Sequence, residues 1–215
     1  MSSDTTIKVK SPLYISPSFC SLIYTSRRPE LNTIPIDFGD EINTSTAGQS
    51  TAKSNSEINC EALVKKAKKV IKDVLYLTLS TCDRMGSPCC SPVYCAYDEQ
   101  YMFYWTSSRF SEHSANIRGD CSSISAVIYD SSVPHGTGFG VYFSGMAFEL
   151  SEKDKKEIEC ATRLLSQRIQ QSTKSVEQFL DPFPKRMYKF IPTQISVNSV
   201  NKITHEDIRI EIVLK

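Results

Sequence analysis

Residues 74–118, VLYLTLSTCDRMGSPCCSPVYCAYDEQYMFYWTSSRFSEHSANIR, decide the fold. From Val74 to Thr81, Leu75, Leu77 and Leu79 alternate with Tyr76, Thr78 and Ser80, the period of two of a strand with one buried face. Asp83-Arg84-Met85-Gly86 has turn chemistry and ends that run. A second run from Pro88 to Ala96 and a third from Tyr101 to Trp105, separated by Asp98-Glu99-Gln100, complete a three-stranded meander. Strands joined by such short turns pair antiparallel.

The third run passes through Thr106-Ser107-Ser108-Arg109 into a short helix, with Ser108 as its expected cap, Ser111 to Arg118 as its body and Gly119 at its end. Free N–H groups at a helix start, neighbouring hydroxyls and a guanidinium all suit the oxygens of a phosphate. The same serines also serve simply to cap the helix and turn the chain, and local chemistry leaves both readings open.

Outward from this stretch, Ser54-Asn55-Ser56-Glu57 has the pattern of a capping box, and Ile58, Ala62, Leu63, Ala67, Val70 and Ile71 share one helical face, predicting about four turns of helix. Lys65, Lys66, Lys68, Lys69 and Lys72 read as its solvated face rather than a nucleic-acid patch. Downstream, Ser123 to Tyr129 is a strand, and Gly136, Gly138 and Gly140 belong to a turn because a strand, not a helix, follows them. Gly145 within VYFSGMAFEL suggests a bulge or a close approach by ligand or partner. Ser151-Glu152-Lys153-Asp154 caps a second helix with Ile158, Ala161, Leu164, Leu165 and Ile169 as its buried stripe. Val176 to Leu180 reads as a short helical turn, Arg186 to Val200 as one or two strands interrupted by Pro192, and Ile208, Ile210 and Ile212 as an edge strand in the tail.

The ordered set of Asp83, Gly86 and Pro88; Ser91-Pro92-Val93; Tyr104 to Ser108; His113-Ser114-Ala115-Asn116-Ile117; and Gly140 to Ala147 resembles the pyridoxamine 5′-phosphate oxidase-like FMN-binding split-barrel superfamily from about Glu57 to about Asn198. The fold expected is mainly β with flanking helices, an antiparallel split barrel. The domain order is an N-terminal extension over 1–53, the barrel over 54–200 and a tail over 201–215. The resemblance implies a homodimer with FMN at the subunit interface, haem and a deazaflavin being alternatives. It implies backbone contacts to the flavin ring edge from Cys90, Ser91, Pro92 and Val93. It also implies phosphate contacts near Thr106, Ser107, Ser108 and His113, with Arg109 as a further cation and Asn116 in the cofactor site. Family members often carry Lys or Arg where this chain has His113. True oxidases of the family hold the substrate phosphate with C-terminal Arg and His residues, and NKITHEDIRIEIVLK does not match that motif. Trp105 and Tyr104 read as core residues, and His205 as surface tail rather than a haem ligand.

The composition excludes other classes. With 25 Lys and Arg against 24 Asp and Glu among 215 residues, the net charge of +1 gives no hint of a nucleic-acid or membrane surface. No run reaches the length of a membrane span, and MSSDTTIKVK lacks the apolar core of a secretory signal, so a cytoplasmic setting is expected. The eight cysteines include a C-x6-C-C-x4-C run without metal-ligand spacing, and they read as reduced thiols. Residues 43–56, almost wholly Ser, Thr, Asn, Gly, Ala and Gln, read as a linker. Leu13, Tyr14, Phe19 and Tyr24 before it suit an extended segment added to the barrel or to a partner subunit. No catalytic residue stands out, and His135, in a glycine-flanked loop, is the most reasonable candidate for proton transfer. The substrate is a small molecule of unknown identity.

Overall fold

The computed structural model describes residues 59–119, 122–200 and 205–214. The expectations placed on residues 1–58, the Ser54 capping box included, lie outside the described residues. Helix α1 (Cys60–Asp73) is capped by Asn59, whose side chain accepts the Ala62 N–H at 3.0 Å. Ala67 and Ile71 are buried, and Leu63, Val64 and Val70 pack beside them, while Ala62 is exposed. At the other end of α1, Arg168 donates to the carbonyls of Ile71, Lys72 and Val74, completing groups that the helix leaves without partners.

The seven strands are β1 (Tyr76–Cys82), β2 (Pro88–Tyr97), β3 (Phe103–Ser108), β4 (Ser123–Tyr129), β5 (Gly140–Glu149), β6 (Lys185–Val200) and β7 (Asp207–Glu211). All pair antiparallel in the order β3-β2-β1-β4-β5-β6-β7, and β3 also pairs with β6. That last pairing closes β1 to β6 into a six-stranded barrel. Leu77, Leu79, Val93, Cys95, Phe103, Trp105, Phe143 and Phe190 fill the interior, as alternation requires. Leu75 falls just outside β1 and is exposed, so the buried leucine pair of this strand is Leu77 and Leu79.

Helix α2 (Glu112–Arg118) packs on β1, β2 and β5, and α1 packs on β4 and β5. Ser151 forms the expected capping box with Asp154, which opens as a 3-10 turn before α3 (Lys155–Arg168). Helix α3 lies across β2 and β3, where Ile158, Ala161 and Leu165 form a second core with Ala96, Tyr104, Phe179 and Met187. Ile169, expected in that stripe, is partly exposed beyond the helix end. Among the described residues no helix is long and apolar enough to cross a membrane.

Pro192 does not interrupt β6, which runs unbroken over 16 residues. It sits opposite Gly145, where the register with β5 shifts in a bulge. The close approach read from Gly145 is therefore made by the chain's own backbone: a Cβ there would lie 2.1 Å from the Ile191 carbonyl oxygen. Gly145→Ala is expected to destabilise the protein by about 2 kcal/mol or more, since neither backbone can yield without breaking the ladder. Urea unfolding measures it, and a change near zero would mean the bulge relaxes freely.

Candidate cofactor site

Strand β3 continues through Ser108, so Thr106, Ser107 and Ser108 are strand residues and alternate in direction. Ser107 points inward with Phe103 and Trp105. Thr106 points outward with Tyr104 and lines the small cleft under α3 with Tyr94 and Lys174. Ser108 is exposed, and its hydroxyl accepts the Phe110 N–H at 3.2 Å. Strand parity thus divides the hydroxyl cluster seen in the sequence. The cap position of α2 belongs to Ser111, not Ser108, and its hydroxyl makes no cap bond. It lies instead 2.9 Å from the Ser108 carbonyl oxygen, 2.8 Å from Ser114 Oγ and 3.1 Å from His113 Nε2.

His113 is the hub. It is 9% exposed, with Nδ1 3.1 Å from Ser91 Oγ on β2 and Nε2 2.9 Å from Ser107 Oγ on β3. Both ring nitrogens are occupied by hydroxyls, which can donate to one nitrogen and accept from the other, so a neutral imidazole is fully satisfied. Burial lowers the His113 pKa from its ordinary value near 6.5, and the exposed Glu112 opposes this only in part. From Ser111 the bonds continue through Ser114 to the Tyr188 hydroxyl, which donates to Glu149 Oε2 at 2.8 Å. Burial pushes the Tyr188 phenol up to about 12, so it remains a donor.

The positive charges at this end are already engaged. Arg186, 4% exposed on β6, bonds Asp181 and the carbonyls of Phe183 and Lys185, with Glu149 Oε1 3.5 Å from its Nε. Arg109 Nη1 lies 2.8 Å from Asp181, and Arg118 Nη1 lies 2.8 Å from Glu149. Arg109 was expected as a cation for a phosphate; it is turned to Asp181 instead. Sequence reading missed Arg186, although it occupies an inward parity position of β6 with Tyr188 and Phe190. A charged residue in such a register signals a buried ion pair.

The remaining expected residues lie elsewhere. Asn116 donates from Nδ2 to Thr81 Oγ1 at 3.0 Å, tying α2 to β1. Val93 is buried inside the barrel, whereas Cys90 and Pro92 are exposed on its outer face. One edge of β2 pairs with β1 over Pro88 to Tyr94, but the other meets β3 only over Cys95 to Tyr97. The Cys95 N–H points to the β1 side, where it bonds the Leu75 carbonyl. By antiparallel alternation the backbone groups of Cys90 and the Pro92 carbonyl face the open edge. Pro92, which has no N–H to lose, suits such an edge. Trp105 and Tyr104 are buried, as read. His135 and His205 are exposed and lie in loops outside this cluster. Among the described residues no group of His, Cys, Asp and Glu is arranged to hold a metal ion.

A phosphate dianion does not fit the donor set expected for it. Ser107 and His113 bond to each other, Thr106 and Ser108 face away from them, and Arg109 is paired with a carboxylate. Among the described residues no strand pairs with the β3-facing edge of β2 from Pro88 to Tyr94.

Because His113 resists protonation in the fold, the unfolded chain binds its proton more readily. Its contribution to stability is therefore fully present above about pH 6.5 and is lost as pH falls through the lower folded pKa. His113→Gln is expected to flatten this dependence between about pH 7.5 and about pH 5.5. His113→Ala should cost about 2 kcal/mol at neutral pH by stripping three hydroxyls of their partner. Urea unfolding of both variants at the two pH values checks each outcome.

The barrel has counterparts among solved structures. Campylobacter jejuni ChuZ aligns with a TM-score of 0.56 at 16% identity, over 73% of this chain and 62% of that one. A heme binding protein from Mycobacterium smegmatis aligns at 0.52 and 15% identity, over 69% and 57%. A conserved hypothetical protein from Mycobacterium tuberculosis gives 0.51 and 17%, over 67% and 88%. At these identities the likeness concerns the fold. No curated protein matches the chain. The sequence profile of the family described as pyridoxamine 5′-phosphate oxidase matches residues 63–199, from α1 through the last closing strand, and the chain belongs to that family.

Proposed function

We propose that the chain is a flavin-binding oxidoreductase acting as a homodimer. An isoalloxazine ring lies along the open edge of β2, with FMN as the form the family resemblance implies. The observation that carries this reading is the edge of β2 that faces away from β1, which no strand among the described residues pairs between Pro88 and Tyr94, beside an outer face that α3 covers at its Tyr94 and Ala96 end. The rim of an isoalloxazine alternates hydrogen-bond donors and acceptors, and the Cys90 N–H, the Cys90 carbonyl and the Pro92 carbonyl offer the complementary set. An edge left open in this way also needs cover, which a bound ring supplies.

The adjoining face is broad and level. Pro92, Thr78, Val127 and Tyr142 lie in one row across four strands, and Cys90, Ser80, Ser125 and Ser144 in the next. Small side chains in neighbouring rows suit the second copy, which would provide the other wall for the ring. A flavin supplies the electron-transfer chemistry itself, so the chain has to bind, orient and exclude water. Small-molecule substrates and a cytoplasmic setting accord with this reading. A non-enzymatic carrier of a flavin, a deazaflavin or haem would use the same face, and turnover with a nicotinamide donor separates the two.

Thr78→Arg places a charge in the middle of the face without touching the core. It is expected to weaken flavin uptake by more than about tenfold and to convert dimer to monomer, with the circular dichroism of the folded barrel retained. Fluorescence titration and sedimentation are the measurements. A monomeric wild type, or a variant that keeps both flavin and dimer, would overturn the proposal.

A further inference from the structure

The His113 cluster has a consequence for which flavin the chain takes. A phosphate dianion is held by free donors and by positive charge, and the α2–β3 junction has neither to spare. Its three inward hydroxyls, from Ser91, Ser107 and Ser111, converge on one imidazole. The three guanidiniums at this end, Arg109, Arg118 and Arg186, are each held in an ion pair with Asp181 or Glu149. The groups facing the imidazole offer no replacement charge: Glu112 on α2 is acidic, Cys89 on β2 contacts Ser91, and Tyr188 on β6 is engaged with Glu149. A phosphate entering here would have to break the Ser91 and Ser107 bonds and compete with Asp181 and Glu149 for guanidiniums that those carboxylates already hold.

We propose that the α2–β3 junction is a sealed polar core that takes no phosphate, and that this chain recognises a flavin by its isoalloxazine alone. The second half of the statement rests on the flavin-binding reading above; the first stands on the junction itself. Riboflavin is then as good a ligand as FMN, and the conservative route back to a phosphate site is a cation in place of the imidazole.

Two measurements on the full chain decide it. Riboflavin and FMN, titrated separately by fluorescence quenching, should bind within about twofold of each other. His113→Lys should raise the preference for FMN. FMN binding about tenfold or more tighter than riboflavin to the wild type would overturn recognition by the ring alone. Imidazole nitrogen NMR, with His113→Gln to assign the signal, should show the His113 ring unmoved by inorganic phosphate. A ring that gains a proton when phosphate is added would overturn the sealed core. If neither flavin binds while the His113 signal stays fixed, the flavin reading and recognition by the ring fail, and the sealed junction stands.

Discussion

One strand, β6, bonds to three others, and the rest of the molecule follows from that. Along one edge it pairs with β5 from Tyr188 to Val197; along the other it pairs first with β3 and then with β7. Pairing with β3 closes the barrel. On its other edge β3 reaches β2 only from Phe103 to Trp105, and Thr106 to Ser108 follow β6 alone. The open edge of β2 begins where β3 parts from it. The contact that allows so long a strand is the Gly145 bulge, where β5 and β6 approach too closely for any side chain between them.

Closure also creates an end to be plugged, and α2 plugs it with polar rather than apolar side chains. Ser91, Ser107, Ser111, Ser114 and His113 lie where strand interiors give way to solvent, and each finds a partner within the group. Leaving one unsatisfied would cost more than the pair contributes, so such a core holds its geometry tightly. The surrounding ion pairs enforce the same arrangement: Glu149 on β5 joins Arg118 on α2 to Arg186 on β6.

Much of this was legible in the sequence where a single physical rule governs. The strand from Ser123 to Tyr129 has the bounds that its alternation indicates, and Ser151 caps as its spacing requires. What escaped reading depends on direction and distance. Thr106, Ser107 and Ser108 form one cluster in the sequence, but the strand extends three residues past Trp105 and sends them to opposite faces. Pro192 looked like a break because its partner, Gly145, lies 47 positions away in the chain and makes room for it. His113 looked like a phosphate contact because the sequence does not show that Ser91, 22 positions before it, closes on its other nitrogen. Arg186 alone carried a readable sign, a charge in an inward register.

The most direct measurement is a crystal structure of the protein grown with FMN. The expected map has the isoalloxazine against the Cys90 and Pro92 backbone between two copies of the chain, with His113 still bonded to Ser91 and Ser107 and no phosphate density beside it. A map with the phosphate seated on His113 and the serine contacts broken would contradict the sealed core, and a ring bound away from the β2 edge would contradict the site itself.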